Sequence, residues 1–366
     1  MQWDSVYIHD KNCVTPLGLD IQSNWQQLMR GTIGITQVDV GNFKGIWAGK
    51  IQEDTIRAEM PELAYTHLER MLIMAAKPIV QKHRPGLRTA FILSTTKGNV
   101  SFLRAGSVQE AELTVLAQKI ASHLGFLTEP IVVSHACVSG VLALGTAKRL
   151  IQMGCFDDAV VLAGDALSEF VVSGFQAFQA MSQAPCRPFD LHRTGVSLGE
   201  AAACTYVSKV KGVFQILGDS FINDANHISG PSRTGEGLYR SILGAIKEAE
   251  IDSLSIEHIS AHGTATPYND EMEAIAFNRL HLQHVPLNSL KGYYGHTLGA
   301  SGLLELVVAM HGMEENVLIP TAGFQEIGVS QPVHVIQKRI KKEVKRMLKT
   351  ASGFGGSNAA IIVEKK

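Results

Sequence analysis

The sequence predicts a layered α/β fold built from two similar halves, and three observations carry that expectation. Short β-type apolar runs alternate with longer helical patterns along the chain. Hydrophobic residues make up 45% of the sequence and charged residues 18%, which supplies a thick buried core and excludes a disordered chain. One helix pattern also occurs twice. Cys137-Val138-Ser139-Gly140 opens one apolar run and His296-Thr297-Leu298-Gly299 opens another; each starts on a reactive side chain and has Gly three positions on. Both continue apolar for about four turns, and a helix apolar on all sides is buried between layers. Two such helices are expected back to back. The 366 residues also exceed what one core of about 250–300 residues accommodates.

Taken in chain order, period and turn chemistry place strands over 5–9, 89–94, 130–134, 159–163, 257–261 and 359–363. Helices are expected over 138–153, 238–249, 270–280 and 299–310. No linker rich in Pro, Ser or charge divides the chain.

Composition narrows the function. The 33 basic and 34 acidic residues leave a net charge of −1, so no global field points to nucleic acid or an anionic membrane. Five scattered cysteines without a CxxC pair argue against a disulfide scaffold or zinc ribbon and fit a reducing cytoplasm. The N-terminal residues do not read as a signal peptide. The most apolar stretch, near 302–310, is short and carries Glu305, so no membrane span is expected.

Cys137 stands between a predicted strand and a predicted helix in Ser134-His135-Ala136-Cys137-Val138-Ser139-Gly140. Unpaired N–H groups and the macrodipole at a helix start stabilise a thiolate. The small Ala136 and Gly140 would allow a sharp turn and close approach of a substrate. The competing reading is a buried structural thiol. His262, at the end of a predicted strand in His262-Gly263-Thr264-Ala265-Thr266-Pro267, and His296, in Gly295-His296-Thr297-Leu298-Gly299, stand among small residues that leave room beside the ring. Either alone could be structural; with Cys137 they form a constellation that chance explains poorly. A last glycine-rich element, Ser352-Gly353-Phe354-Gly355-Gly356-Ser357-Asn358, lacks the Lys of a P-loop and suits a turn presenting N–H groups to an oxyanion.

These segments, together with Cys13-Val14-Thr15-Pro16-Leu17-Gly18, Cys186-Arg187-Pro188-Phe189-Asp190 and Gly199-Glu200, make the chain resemble the β-ketoacyl-acyl-carrier-protein synthases, condensing enzymes of the thiolase superfamily. The resemblance implies a five-layered αβαβα fold of two duplicated halves: residues 1–210 carrying the nucleophilic Cys137, and residues 211–366 carrying the catalytic His262 and His296. It implies that Lys291 is the active-site lysine, with Glu273 the acid paired with it and Asp270 a supporting acid. Cys137 and Phe354 would supply the oxyanion-hole N–H groups, and the Phe354 ring would gate the acyl pocket. The implied activity is decarboxylative condensation of an acyl group with malonyl-acyl carrier protein. The implied partners are the carrier protein and an identical or related subunit. Substrates would ride on the carrier's phosphopantetheine, with no metal or bound cofactor. Docking of an acidic carrier protein would use surface cations such as Arg57, Lys82, Arg84 and Lys209.

Departures from the family pattern bear on the substrate. Ser352 stands where an aromatic residue is usual, Thr194 and Val196 replace Asp and Phe, and the segment between Thr96 and Cys137 is short. Together they open the possibility of a polyene or other polyketide pathway beside fatty-acid synthesis. A non-elongating chain-length-factor subunit is the alternative, although such subunits lose the Cys. A thiolase would need a second reactive Cys near the C-terminus, and no Cys follows Cys204.

Overall fold

The computed structural model describes residues 3–224 and 230–366. Ten strands form its principal sheet. They are β1 (Val6–Val14), β2 (Thr89–Ser94), β3 (Ile131–Val133), β4 (Asp158–Asp165), β5 (Ala201–Ser208), β6 (Phe214–Asn223), β7 (His258–Ser260), β8 (Leu287–Asn288), β9 (Arg346–Gly353) and β10 (Ser357–Lys365). In space they run β8-β7-β9-β10-β6-β1-β5-β4-β2-β3.

The duplication is explicit in this order. Numbering the strands of each half from one to five, both sets run 3-2-4-5-1 from their outer edge inward. Directions repeat as well: β2 lies parallel to β3 and β4 and β5 antiparallel to β4 and β1, while β7 lies parallel to β8 and β9 and β10 antiparallel to β9 and β6. The two sets meet along Val6–Ile8 of β1 and Phe214–Ile216 of β6.

Layering follows from alternation along the strands. In β4, Ala159, Val161 and Ala163 face a central core, and Val160 and Leu162 face an outer one. In β10, Ala359, Ile361 and Val363 face the same central core while Ala360 and Ile362 face a second outer one. The first outer layer is built on α1 (His67–Lys82), and the second on α3 (Glu236–Ala249) and α4 (Pro267–Arg279). Between the two five-stranded sets lie α2 (Ser139–Gln152) and α5 (Ser301–Glu315), giving the αβαβα arrangement.

The echoed helices do lie back to back, and their glycines are the reason they can. A Cβ on Gly140 would stand 2.8 Å from the Leu303 nitrogen, and one on Gly302 would stand 2.6 Å from Val141 Cγ2. Gly140 therefore serves the helix crossing, a correction to the reading that it admits substrate. Element boundaries differ from expectation mainly by extension: β1 and β10 run on past their apolar cores, and α4 starts at Pro267, whose fixed φ and missing N–H suit the first turn. Among the described residues no helix is long and apolar enough to cross a membrane.

The crossing generates a prediction. Gly140→Ala pushes a methyl group into backbone rather than into a flexible side chain, so overpacking should cost about 1–3 kcal/mol. Thermal unfolding should show a Tm several degrees lower than wild type. Gly154→Ala, in open space outside the helix, serves as the comparison in which only the left-handed φ is strained.

Candidate active site

The chain leaves β3 and turns into α2 through Ala136, which sits at φ 45° where a small side chain is tolerated best. Ser139 closes this turn: its Oγ accepts from the His135 N–H at 2.7 Å and donates to the Ala136 carbonyl at 2.6 Å. Cys137 is thereby set at the mouth of the helix and is 8% exposed. The hairpin between β9 and β10 comes against it, and a Cβ on Gly353 would lie 3.0 Å from the Cys137 nitrogen.

His262 follows β7. Its backbone N–H and that of Gly263 donate to the two oxygens of Glu273 at 2.8 and 2.6 Å. Glu273 also accepts from Thr350 Oγ1 and Asn269 Nδ2. Asp270 performs the same service one turn earlier in α4, accepting from the N–H groups of Phe189, Thr264 and Ala265. Both acids therefore brace the loop after β7. His296 is fixed through its own backbone: its N–H donates to Ser197 O, and its carbonyl accepts from Gly199 N.

The lysine corrects the expectation. Lys291 is not paired with Glu273; its ammonium lies 2.6 Å from Glu305 Oε1. It also donates to His262 Nδ1 at 3.2 Å and to the His262 carbonyl at 2.5 Å. The other oxygen of Glu305 holds a second buried ammonium, Lys349, at 2.5 Å, and Ser301 Oγ donates to the first. Lys349 and Asp165 had no place in the sequence reading, and Glu305 entered it only as a charge within an apolar stretch. Asp165 ends β4 and gathers the N–H groups of Thr96, Lys97 and Gly299 with the hydroxyls of Thr95 and Thr96, tying the loop after β2 to the start of the α5 segment.

The two imidazoles lie with ring centroids 5.2 Å apart, nearly perpendicular. An ammonium has only protons to offer, so His262 Nδ1 must accept from Lys291 and Nε2 must carry the ring proton. The Leu298 N–H donates to His296 Nδ1 at 3.0 Å, which assigns His296 the same tautomer. Burial and the Lys291 charge hold both rings well below the usual imidazole pKa, so both are neutral near pH 7.

Burial also decides the state of the thiol. It pushes Cys137 up to about 11, against the pull of Lys291, Lys97 and the Phe354 N–H. The resting sulfur is a thiol, not the thiolate that a helix start alone suggests.

Cys137, His262 and His296 share one cavity of about 430 Å³. Phe354, Val196 and Ser352 line it too, as do Phe175 and Phe178, whose rings lie 5.5 and 5.2 Å from that of Phe354. Ser352 Oγ turns onto Asn358 Oδ1 at 2.9 Å. None of the four surface cations lines the cavity, and Arg57, Lys82 and Lys209 are paired with Glu53, Asp10 and Asp4.

Two family models match the chain, the β-ketoacyl synthase N-terminal domain over residues 89–211 and its C-terminal domain over residues 213–325. The 3-oxoacyl-[acyl-carrier-protein] synthase 2 of Rhizobium meliloti (strain 1021) is 32% identical over 63% of this chain and 59% of its own. Among solved structures, a ketosynthase in complex with its chain length factor from Xenorhabdus doucetiae has a TM-score of 0.87 at 25% identity, covering 99% of this chain and 98% of that one. A type II polyketide synthase acyl-carrier protein in complex with its ketosynthase bound to the hexaketide matches with a TM-score of 0.87 at 21% identity over the whole of both chains.

The protonated resting thiol sets the pH dependence of its reactivity. Alkylation of Cys137 by a small haloacetamide should rise about tenfold per pH unit through the neutral range, with no plateau below about pH 10. Lys291→Met, which removes the largest charge favouring the thiolate, should slow alkylation at every pH in that range. A plateau near pH 7 in the wild type would show that the thiolate is the resting form.

Proposed function

The chain belongs to the β-ketoacyl synthase family, and from that premise we propose that it condenses a Cys137-bound acyl group with malonyl-acyl carrier protein, losing CO₂ and lengthening the chain by two carbons. One observation carries the reading. Two neutral imidazoles, each with Nδ1 occupied as an acceptor and Nε2 carrying the proton, line the same cavity as a cysteine at a helix start. Such a pair stabilises a thioester carbonyl as it gains negative charge.

In the first half-reaction the Cys137 sulfur attacks the thioester of an acyl carrier protein. Its proton passes to the departing phosphopantetheine thiol. The tetrahedral oxyanion rests on the N–H groups of Cys137 and Phe354, a role supported by the approach of Gly353 and Phe354 to Cys137. In the second, the malonyl thioester carbonyl takes hydrogen bonds from both Nε2–H groups. The C–C bond to the carboxylate breaks, CO₂ departs, and the electron pair becomes an enolate held by the histidines. The enolate carbon attacks the acyl carbonyl, and Cys137 leaves as a thiolate that takes up one proton. These steps balance with substrate groups and side chains alone, which supports the expectation of no cofactor. Lys291 keeps His262 in the donating tautomer.

The carrier protein and a related ketosynthase or chain length factor are the proposed partners, by analogy with the complexes named for the structural relatives. The chain-length-factor reading finds one support, the likeness to a complex that contains such a subunit. Retention of Cys137 with both histidines favours the elongating role.

Incubation with acyl carrier protein and peptide mass mapping should place the acyl group on Cys137, and label on Cys186 or Cys204 instead would remove the nucleophile assignment. Cys137→Ser should abolish condensation. His262→Ala and His296→Ala should each lower malonyl decarboxylation by about 10²–10³-fold while acylation persists in at least one of them.

The pocket wall generates the substrate prediction. Val196 packs with Val171 and Val172, and Ser352 spends its hydroxyl on Asn358, so neither fills the space of an aromatic ring. Conjugated or aryl-ended acyl carrier proteins should be turned over at least as fast as saturated ones of equal length, and Ser352→Phe should slow the conjugated substrate selectively. Strong preference for the saturated chain, unchanged in Ser352→Phe, would return the protein to fatty-acid elongation.

A further inference from the structure

Lys349 has no part in the condensation steps above, yet it is buried against the backbone that leads to His262. It is 0% exposed on β9, and all three of its protons are used: on Glu305 Oε2 at 2.5 Å, Ser260 O at 3.2 Å and Ala261 O at 3.2 Å. Lys291 spends its protons on Glu305 Oε1, His262 Nδ1 and His262 O. The two ammonium groups thus hold three successive carbonyls, at 260, 261 and 262, while one carboxylate bridges them. A structural ion pair needs one cation; a second buried cation adds a desolvation cost that packing alone does not explain.

We propose that Lys349 is a positioning residue for the condensing site, anchoring the strand end that carries His262 and supplying, with Lys291, the positive field in which both histidines work. This rests on the condensation reading above.

The charged and titratable groups around it are few. Glu305 faces it from α5, Lys291 from the turn before His296, Glu273 from α4 and His258 from β7, with His262 and His296 beyond. Glu305 is shared between two lysines and cannot cancel both. The remaining positive charge disfavours an imidazolium at His262 or His296, as the effect of Lys349 on both rings indicates. Protonation of His262 at Nδ1 would also expel the Lys291 hydrogen bond.

The test is a pH profile of malonyl-carrier-protein decarboxylation by the full-length protein and its Lys349→Met variant. Cys137 acylation, followed by mass spectrometry at the same pH values, reports whether the fold is intact. Loss of the charge should let the histidines protonate more readily, so the acidic limb should move up by about one pH unit, with rates at pH 8 within a few-fold of wild type. Where Lys349→Met yields no folded protein, Lys349→Gln, uncharged but able to donate to the carbonyls, is measured in the same way. An acidic limb at the wild-type pH, with the rate unchanged or lowered uniformly, overturns the proposal. A wild-type protein that acylates Cys137 but decarboxylates at no pH overturns the condensation reading instead.

Discussion

Glu305 sits inside the central layer with an ammonium on each oxygen, and that three-body contact links most of what surrounds it. The carboxylate belongs to the helix Ser301–Glu315; one lysine belongs to the turn that leads to His296, the other to the strand Arg346–Gly353. Through their remaining protons the lysines reach the end of the strand His258–Ser260 and the two residues after it. Removing Glu305 leaves two ammonium groups unpaired in a medium that solvates them poorly, and removing either lysine releases the carbonyls it holds, so helix, turn and two strands are held to one arrangement. His262 inherits its tautomer from this cluster, and His296 gets its own from the backbone two residues on. Electrostatic bracing and backbone geometry thus give two rings the same chemical state by different means.

The rest of the site follows from where the duplicated fold puts its loops. The turn that carries Cys137 lies beyond β3, His262 beyond β7 and Asp165 at the end of β4, all at carboxyl ends of parallel strands, where α/β sheets gather ligands. The hairpin of β9 and β10 then closes over Cys137 with Gly353 and sets the Phe354 ring against Phe175 and Phe178, which line the same cavity.

Much of this was legible in the residues. The echo of Cys137 and His296 revealed the duplication, and Cys137, His262 and His296 do converge. What escaped had physical causes. Ala201–Ser208 is buried on both faces and shows no alternation to mark it as a strand. Arg346–Gly353 mixes charge into its apolar pattern, so the strand was missed and Lys349 with it. Glu305 was visible as a charge within an apolar helix, which demands a partner, but those partners lie 14 and 44 residues away. Glu273, which the resemblance paired with Lys291, instead serves the backbone N–H groups of His262 and Gly263, a role that residue type alone does not reveal. Gly140 was read as clearance for substrate because the helix that presses on it lies more than 150 residues further along the chain.

The glycine crossing of the two central helices has a consequence for how such a site can arise. Cys137 precedes one of the two crossing helices and His296 the other, and both side chains line a shared cavity. A symmetric pair of identical repeats would carry the same residues ahead of both helices, so the two sides of the cavity could not differ. Joining the repeats in one polypeptide removes that symmetry and lets each position change alone. A division of work between unlike residues ahead of the two helices is therefore open to a fused chain and closed to a symmetric pair.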